Sequence, residues 1–158
     1  MEHSANIISL KELKIENQEA ILYFASQLNP TKSVEALRQS IQEMFQFDRY
    51  YCFGLFLDDK MVGISSAWVT VRFYSGKQLE LDNVIVDNTL RSNGLGKHFL
   101  ELIEKWAIER GFQTIELNTY VGNTSSHKFY FNMGYIILGY HFQKVIGNNV
   151  KNSDSGGC

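Results

Sequence analysis

Apolar side chains follow two rhythms along this chain. Ala20, Ile21, Phe24 and Leu28 recur at helical spacing, which predicts a helix from about Glu16 to Gln27, stopped by the only proline, Pro30. Val34, Leu37, Ile41, Met44 and Phe45 line one face of a second helix, from about Ser33 to Phe45, with Ser33 as its N-cap. Ahead of both, Asn6-Ile7-Ile8-Ser9-Leu10 reads as a short first strand. From Tyr50 to Val86 the character changes to β-branched and aromatic residues, broken by turn signals at Asp58-Asp59-Lys60 and Ser75-Gly76-Lys77. This predicts a three-stranded antiparallel meander.

The third of these strands contains an irregularity. Leu79 and Leu81 alternate with Glu80 and Asp82, but beyond Asn83 the apolar residues run on as Val84-Ile85-Val86, so the alternation slips at Asp82-Asn83. An inserted residue, a β-bulge, causes such a slip, and bulges often sit beside a site where side chains must be re-aimed. A strand end buried on both faces gives the same pattern. After the strand, Leu95, Phe99, Leu102, Ile103 and Trp106 define a long amphipathic helix to Arg110, capped by Gly111. Gln113 to Thr119 then reads as a strand, Thr124 to Asn132 as a short helix, and Tyr135 to Ile146 as one or two final strands around Gly139. The polar, glycine-rich tail from Gly147 to Cys158 is expected to be disordered, leaving residues 1–146 as one domain.

Between the slipped strand and the long helix lies Arg91-Ser92-Asn93-Gly94-Leu95-Gly96. Two glycines in one turn let the backbone approach a ligand closely, and the free N–H groups and dipole of the new helix favour a diphosphate there. Arg91 can add a fixed positive charge. A P-loop would need glycine at position 91 and Ser or Thr at 98, where Arg91 and His98 stand. A dinucleotide fingerprint would need a third glycine at position 99, which is Phe99.

What remains, Arg-x-x-Gly-x-Gly after a strand, resembles the acetyl-CoA signature of the GNAT superfamily of N-acetyltransferases. Downstream, Asn123-Thr124-Ser125-Ser126-His127-Lys128-Phe129-Tyr130, followed by Asn132-Met133-Gly134-Tyr135, is similar to the family's Asn-x-x-Ala-x-x-Phe-Tyr-x-x-x-Gly-Phe segment, with Ser126 and Tyr135 as mild departures. The order of elements over residues 6–146 matches as well. The resemblance implies an α/β (α+β) fold with a mixed central sheet, an antiparallel N-terminal meander and flanking helices. It also implies that acetyl-CoA lies between the strands ending near Val86 and Thr119. The backbone of Val84, Ile85 and Val86 would then bond the pantetheine arm, the N–H groups of Arg91, Ser92, Asn93, Gly94, Leu95 and Gly96 would hold the pyrophosphate, and Asn123 would contact the pantetheine or its phosphate.

The same resemblance suggests the chemistry. An amine with a pKa near ~10.4 must lose a proton before it attacks a thioester. Family members use a carboxylate of the meander's last strand as general base, which points to Glu80 or Asp82, with a slight preference for Glu80 acting through water. Tyr130 matches the usual acid for the departing thiolate, and a backbone N–H of Val84 or Ile85 would polarise the thioester oxygen. Direct transfer in a ternary complex to a small-molecule amine is the expected reaction. The alternative is a non-catalytic acyl-CoA-binding or regulatory module of the same fold.

Composition narrows the remaining classes. A 44% apolar, 20% charged chain of 158 residues with net charge −2 reads as one globular, cytoplasmic domain with no global pull toward nucleic acid. No apolar run approaches a membrane span. Cys52 and Cys158 support neither a disulfide framework nor a metal quartet, and His98 and His127 have no partner at ligand spacing, so no metal is expected. Cys52 reads as buried filler rather than a nucleophile. The apolar final strands could pair across a homodimer.

Overall fold

The structure, a computed structural model, describes residues 6–90 and 94–147. The chain divides into two compact units, Met1–Asn118 and Thr119–Cys158. In the first, five strands form one sheet in chain order: β1 (Ile8–Glu12), β2 (Tyr50–Leu57), β3 (Lys60–Arg72), β4 (Gly76–Val86) and β5 (Thr114–Leu117). The first four are antiparallel neighbours, so the expected meander is present, and β5 joins β4 in parallel. Helices α1 (Gln18–Leu28) and α2 (Val34–Met44) precede β2, and α3 (Leu95–Glu109) is the crossover from β4 to β5. A 3-10 turn, Ile15–Asn17, leads into α1.

Both sheet faces are covered, each by a different helix layer. On one, Tyr50, Cys52, Ile64 and Ile85 pack with Ile21, Leu22 and Phe24 of α1 and Ile41 of α2. The Ser33 hydroxyl accepts the Ala36 N–H and caps α2 as expected. Arg38 of α2 donates to both carboxylate oxygens of Glu19 at 3.1 and 3.3 Å, tying α2 to α1. On the other face the Trp106 ring of α3 meets Phe53 edge-on at 4.8 Å, and its Nε1 donates to Glu12 of β1 at 2.7 Å. The buried face of α3 is Leu95, Phe99, Leu100, Ile103, Trp106 and Ala107. Leu102, expected in that face, is half-buried, and Leu100 takes the deeper place.

The second unit contains α4 (Thr124–Asn132). Gly134, in the left-handed region at φ 88°, ends the helix, and Tyr135 N–H donates back to the Tyr130 carbonyl at 3.0 Å. The strands expected over Tyr135–Ile146 do not form: the segment has no ladder, and Ile136, Ile137, Leu138, Tyr140, Phe142 and Ile146 are exposed. Their β propensity reflects fitness for a half-buried surface, and without a partner edge it does not create a strand. The tail beyond Gly147 lies outside the described residues. Among the described residues no helix is long and apolar enough to cross a membrane.

Candidate active site

The slip at Asp82-Asn83 is a bulge in β4. Ser66 pairs with Asp82 and Ile64 with Ile85, so Asn83 and Val84 together oppose the single residue Ser65. Asn83 has φ 52°, in the left-handed region that asparagine tolerates better than most side chains. Without the extra residue Val84 would stand opposite Ile64, and the strand's end would present its other face. With it, Glu80, Asp82 and Ile85, through their partners Trp68, Ser66 and Ile64, share the face covered by α1 and α2. Behind the bulge β3 comes unusually near: a Cβ added at Gly63 would lie 2.7 Å from the Ile85 carbonyl oxygen.

β4 and β5 part at the same place. Their parallel pairing runs from Gln78/Thr114 to Leu81/Leu117 and stops, while β4 continues through Asp82 to Val86. That edge of β4 is left without a neighbouring strand among the described residues. The Asn118 amide, just past β5, donates to Glu80 Oε1 at 3.4 Å, and the Arg72 guanidinium lies 3.8 Å from Glu80 Oε2. Sequence reasoning did not single out either residue, since only the sheet register brings them to Glu80. The two carboxylates differ in how they are engaged. Glu80 is half-buried with these two long contacts, whereas exposed Asp82 accepts the Asn83 N–H at 2.8 Å on Oδ1 and the Asn83 side-chain amide at 3.2 Å on Oδ2.

Beyond β4 the chain turns sharply. Asp87 Oδ1 accepts the N–H and hydroxyl of Thr89 at 2.9 and 2.8 Å, and these bonds hold its carboxyl below the usual carboxylate range. Arg91, Ser92 and Asn93 lie outside the described residues. Gly94 is the N-cap of α3 at φ 73°, a left-handed conformation that favours glycine, and its carbonyl accepts both the N–H and the ring Nδ1 of His98 at 3.1 and 2.9 Å. By helix geometry the N–H groups of Leu95, Gly96 and Lys97 have no acceptor within α3, so they and the helix dipole form an anion-favouring end.

In the second unit, Asn123 is the N-cap of α4, and its Oδ1 accepts the Ser126 N–H at 3.2 Å and the Ser125 hydroxyl at 3.1 Å. Its amide nitrogen remains as a donor. Tyr130 packs edge-on against Phe129 and Tyr135, with ring centres 5.3 and 5.7 Å away. Burial pushes its phenol above the ordinary tyrosine value, so it stays protonated throughout the neutral range. Among the described residues, no group of three or more His, Cys, Asp or Glu could hold a metal ion.

Comparisons with known proteins agree with this geometry. Residues 18–135 match the Acetyltransferase (GNAT) family. A streptothricin acetyltransferase from Escherichia coli is 26% identical over 91 residues, a match that covers 56% of this chain and about half, 48%, of that relative. Among solved structures, the aminoglycoside acetyltransferase AAC(6')-Iy in complex with a bisubstrate analogue superposes with a TM-score of 0.76 at 18% identity, covering 89% of this chain and 99% of that one. A ribosomal-protein-alanine N-acetyltransferase from Brucella melitensis gives 0.75 at 14% identity, covering 89% and 100%. At such identities the structural matches establish the fold. Together with the family match over most of the sequence, they establish that the chain belongs to the GNAT acetyltransferase family.

Proposed function

We propose that this chain is an N-acetyltransferase that moves the acetyl group of acetyl-CoA directly to a small-molecule amine in a ternary complex. The observation that carries the reading is the bulge in β4 at the point where β5 departs, next to a glycine-led helix start. A strand edge with free backbone groups can take an extended pantetheine as an added strand would, here along Val84, Ile85 and Val86. The N–H groups of Gly94, Leu95 and Gly96, with Arg91, Ser92 and Asn93 ahead of them, suit a pyrophosphate, and the Asn123 amide suits a carbonyl or phosphate oxygen.

In this reading Glu80 is the general base. Asn83 holds the Asp82 oxygens at 2.8 and 3.2 Å, whereas Glu80 has only the longer contacts of 3.4 Å to Asn118 and 3.8 Å to Arg72, which leave it freer to take a proton from a water or an ammonium. The amine loses a proton to Glu80, its nitrogen bonds to the thioester carbon, and the carbonyl oxygen gathers charge against a backbone N–H of Val84 or Ile85. The carbon–sulfur bond then breaks, the thiolate takes the phenolic proton of Tyr130, and the proton that the new amide nitrogen sheds restores the phenol. Holding amine and thioester together supplies much of the rate. The streptothricin and aminoglycoside acetyltransferases among the similar proteins support a small-molecule amine as acceptor.

The test is release of free CoA thiol from acetyl-CoA with a panel of aminoglycosides, streptothricin, polyamines and amino acids, followed by mass analysis of the product. Turnover with one class, giving an acetylated amine, supports the reading. Saturable binding of acetyl-CoA without thiol release on any amine would overturn it in favour of a non-catalytic acyl-CoA-binding module.

A further inference from the structure

We infer that Tyr50 and Ser66 are positioning residues for acyl transfer: through Asn83 they brace the β4 bulge from inside the core. The inference rests on the acetyltransferase reading. A non-glycine residue held in the left-handed region costs on the order of 1 kcal/mol or more, and persists only where surrounding contacts over-determine it. Asn83 is such a residue, and it is held from two sides. On the solvent side the Asp82 carboxylate accepts its N–H and its side-chain amide. On the core side the same amide donates to Ser66 Oγ at 3.4 Å, and Ser66 Oγ shares a 2.8 Å hydrogen bond with the Tyr50 hydroxyl, in which either can donate.

The placement of these groups argues for a dedicated use. Ser66 is the register partner of Asp82, the last ladder pair before the extra residue, and Ser65 is the single residue opposite the bulge. Both serines are buried in a strand whose neighbours, Val62, Ile64 and Ala67, are apolar. A buried hydroxyl is costly unless it is hydrogen-bonded, so two of them beside the bulge indicate a local demand for polar contact. Ser65 Oγ donates to the Ser66 carbonyl at 3.2 Å, steadying the strand at that point. Tyr50 tells the same story. Its ring is fixed by Phe45 and Trp68, with centres 5.1 and 4.9 Å away, contacts a phenylalanine would also make, so the hydroxyl is what the packing does not explain. Burial keeps that phenol protonated well beyond the ordinary range. The braced residue immediately precedes Val84 and Ile85, one of whose N–H groups polarises the thioester oxygen in the proposed mechanism. A small rotation at Asn83 would therefore be felt at the thioester oxygen before it was felt in the rest of the sheet.

The test is steady-state kinetics of Tyr50→Phe, Ser66→Ala, Asn83→Gly and the Tyr50→Phe/Asn83→Gly pair, with thermal melts of each. Tyr50→Phe preserves the ring packing and carries the test even if Ser66→Ala does not fold. The expected result is a fall in kcat of about 10-fold to 100-fold for each single variant, with KM for acetyl-CoA changing less than about 3-fold. The pair should be no slower than its slower member, because both act through one chain of contacts. Glycine at position 83 accepts the left-handed backbone without strain, so its loss of kcat should come without a matching loss of melting temperature. Wild-type kcat in Tyr50→Phe, or effects of the pair that simply multiply, would overturn the inference while leaving the acetyltransferase reading intact. A wild-type protein that acetylates none of the amines would remove both.

Discussion

Gly63 is the position at which the most local change should have the widest effect. A methyl group there would stand 2.7 Å from the Ile85 carbonyl oxygen and 3.3 Å from Val86 Cα, against an ordinary contact of 3.4 Å or more. The carbonyl and Cα are backbone atoms, so a rotamer change cannot relieve them, and β3 and β4 must separate by several tenths of an ångström just behind the bulge. Overpacking of this kind costs roughly 1–3 kcal/mol, offset by about 0.4–1 kcal/mol that Gly→Ala gains through the unfolded chain. A net loss of about 1–2 kcal/mol lowers the melting temperature by roughly 2–8 °C in a protein of this size. Because the displaced segment, Ile85-Val86, is the proposed pantetheine strand, Gly63→Ala should also weaken acetyl-CoA binding by about 10-fold, the equivalent of ~1.4 kcal/mol. The assay is a thermal melt with and without acetyl-CoA, together with a calorimetric Kd. Gly139→Ala, where an added Cβ meets nothing within 4 Å, is the control and should leave the melt unchanged. Unchanged melting temperature and Kd in Gly63→Ala would refute the claim that close approach at this glycine sets the position of β4.

Other perturbations should separate the roles. Glu80→Gln is expected to lower kcat by about 10²-fold to 10⁴-fold with little change in acetyl-CoA affinity, the range for loss of a general base. Asp82→Asn should lose far less, and the reverse order of effects would transfer the base assignment to Asp82. Tyr130→Phe should lower kcat while leaving the calorimetric Kd for acetyl-CoA within about twofold, an expectation that follows from a donor acting on the leaving group. In the wild type, any loss of rate that depends on this phenol should appear only above pH 10, because burial raises its pKa. Cys52 supplies a stability test: burial pushes its thiol from 9.0 up to about 12. A raised pKa of this kind gives stability that is intact below pH 9 and is lost as pH rises toward 12, since the unfolded thiol ionises first. Urea titrations should therefore show a slope approaching ~1.4 kcal/mol per pH unit between pH 9 and 10, before the buried phenols of Tyr50 and Tyr130 add their own, and Cys52→Ala should remove that early part. A slope equal in both proteins would assign the alkaline loss elsewhere.

Much of the architecture could be read from side-chain periodicity, for reasons the structure makes plain. The α3 face was visible because Phe99, Ile103 and Trp106 must bury together on one side of a helix. The slip around Asn83 was visible in the alternation, but a strand end buried on both faces gives the same pattern, and the ladder with β3 decides for the bulge. What escaped the sequence depends on cross-strand partners. Nothing in the spacing of Gly63, Ser66 or Arg72 tells that they meet Ile85, Asn83 and Glu80, because a register is a property of two strands. The proposed preference for Glu80 over Asp82 rests on where Asn83 points its amide, a side-chain direction that the spacing does not tell. Tyr135–Ile146 misled because alternating apolar residues express a preference that only a neighbouring strand can satisfy.

The central claim is that the edge of β4 past Leu81 and the start of α3 together form a site for acetyl-CoA. Isothermal titration calorimetry of the purified protein with acetyl-CoA tests it most directly. The account predicts saturable binding at one site per chain, weakened in Gly63→Ala and retained in Tyr130→Phe. No heat of binding at millimolar acetyl-CoA would contradict it, and the glycine turn would then be a turn alone.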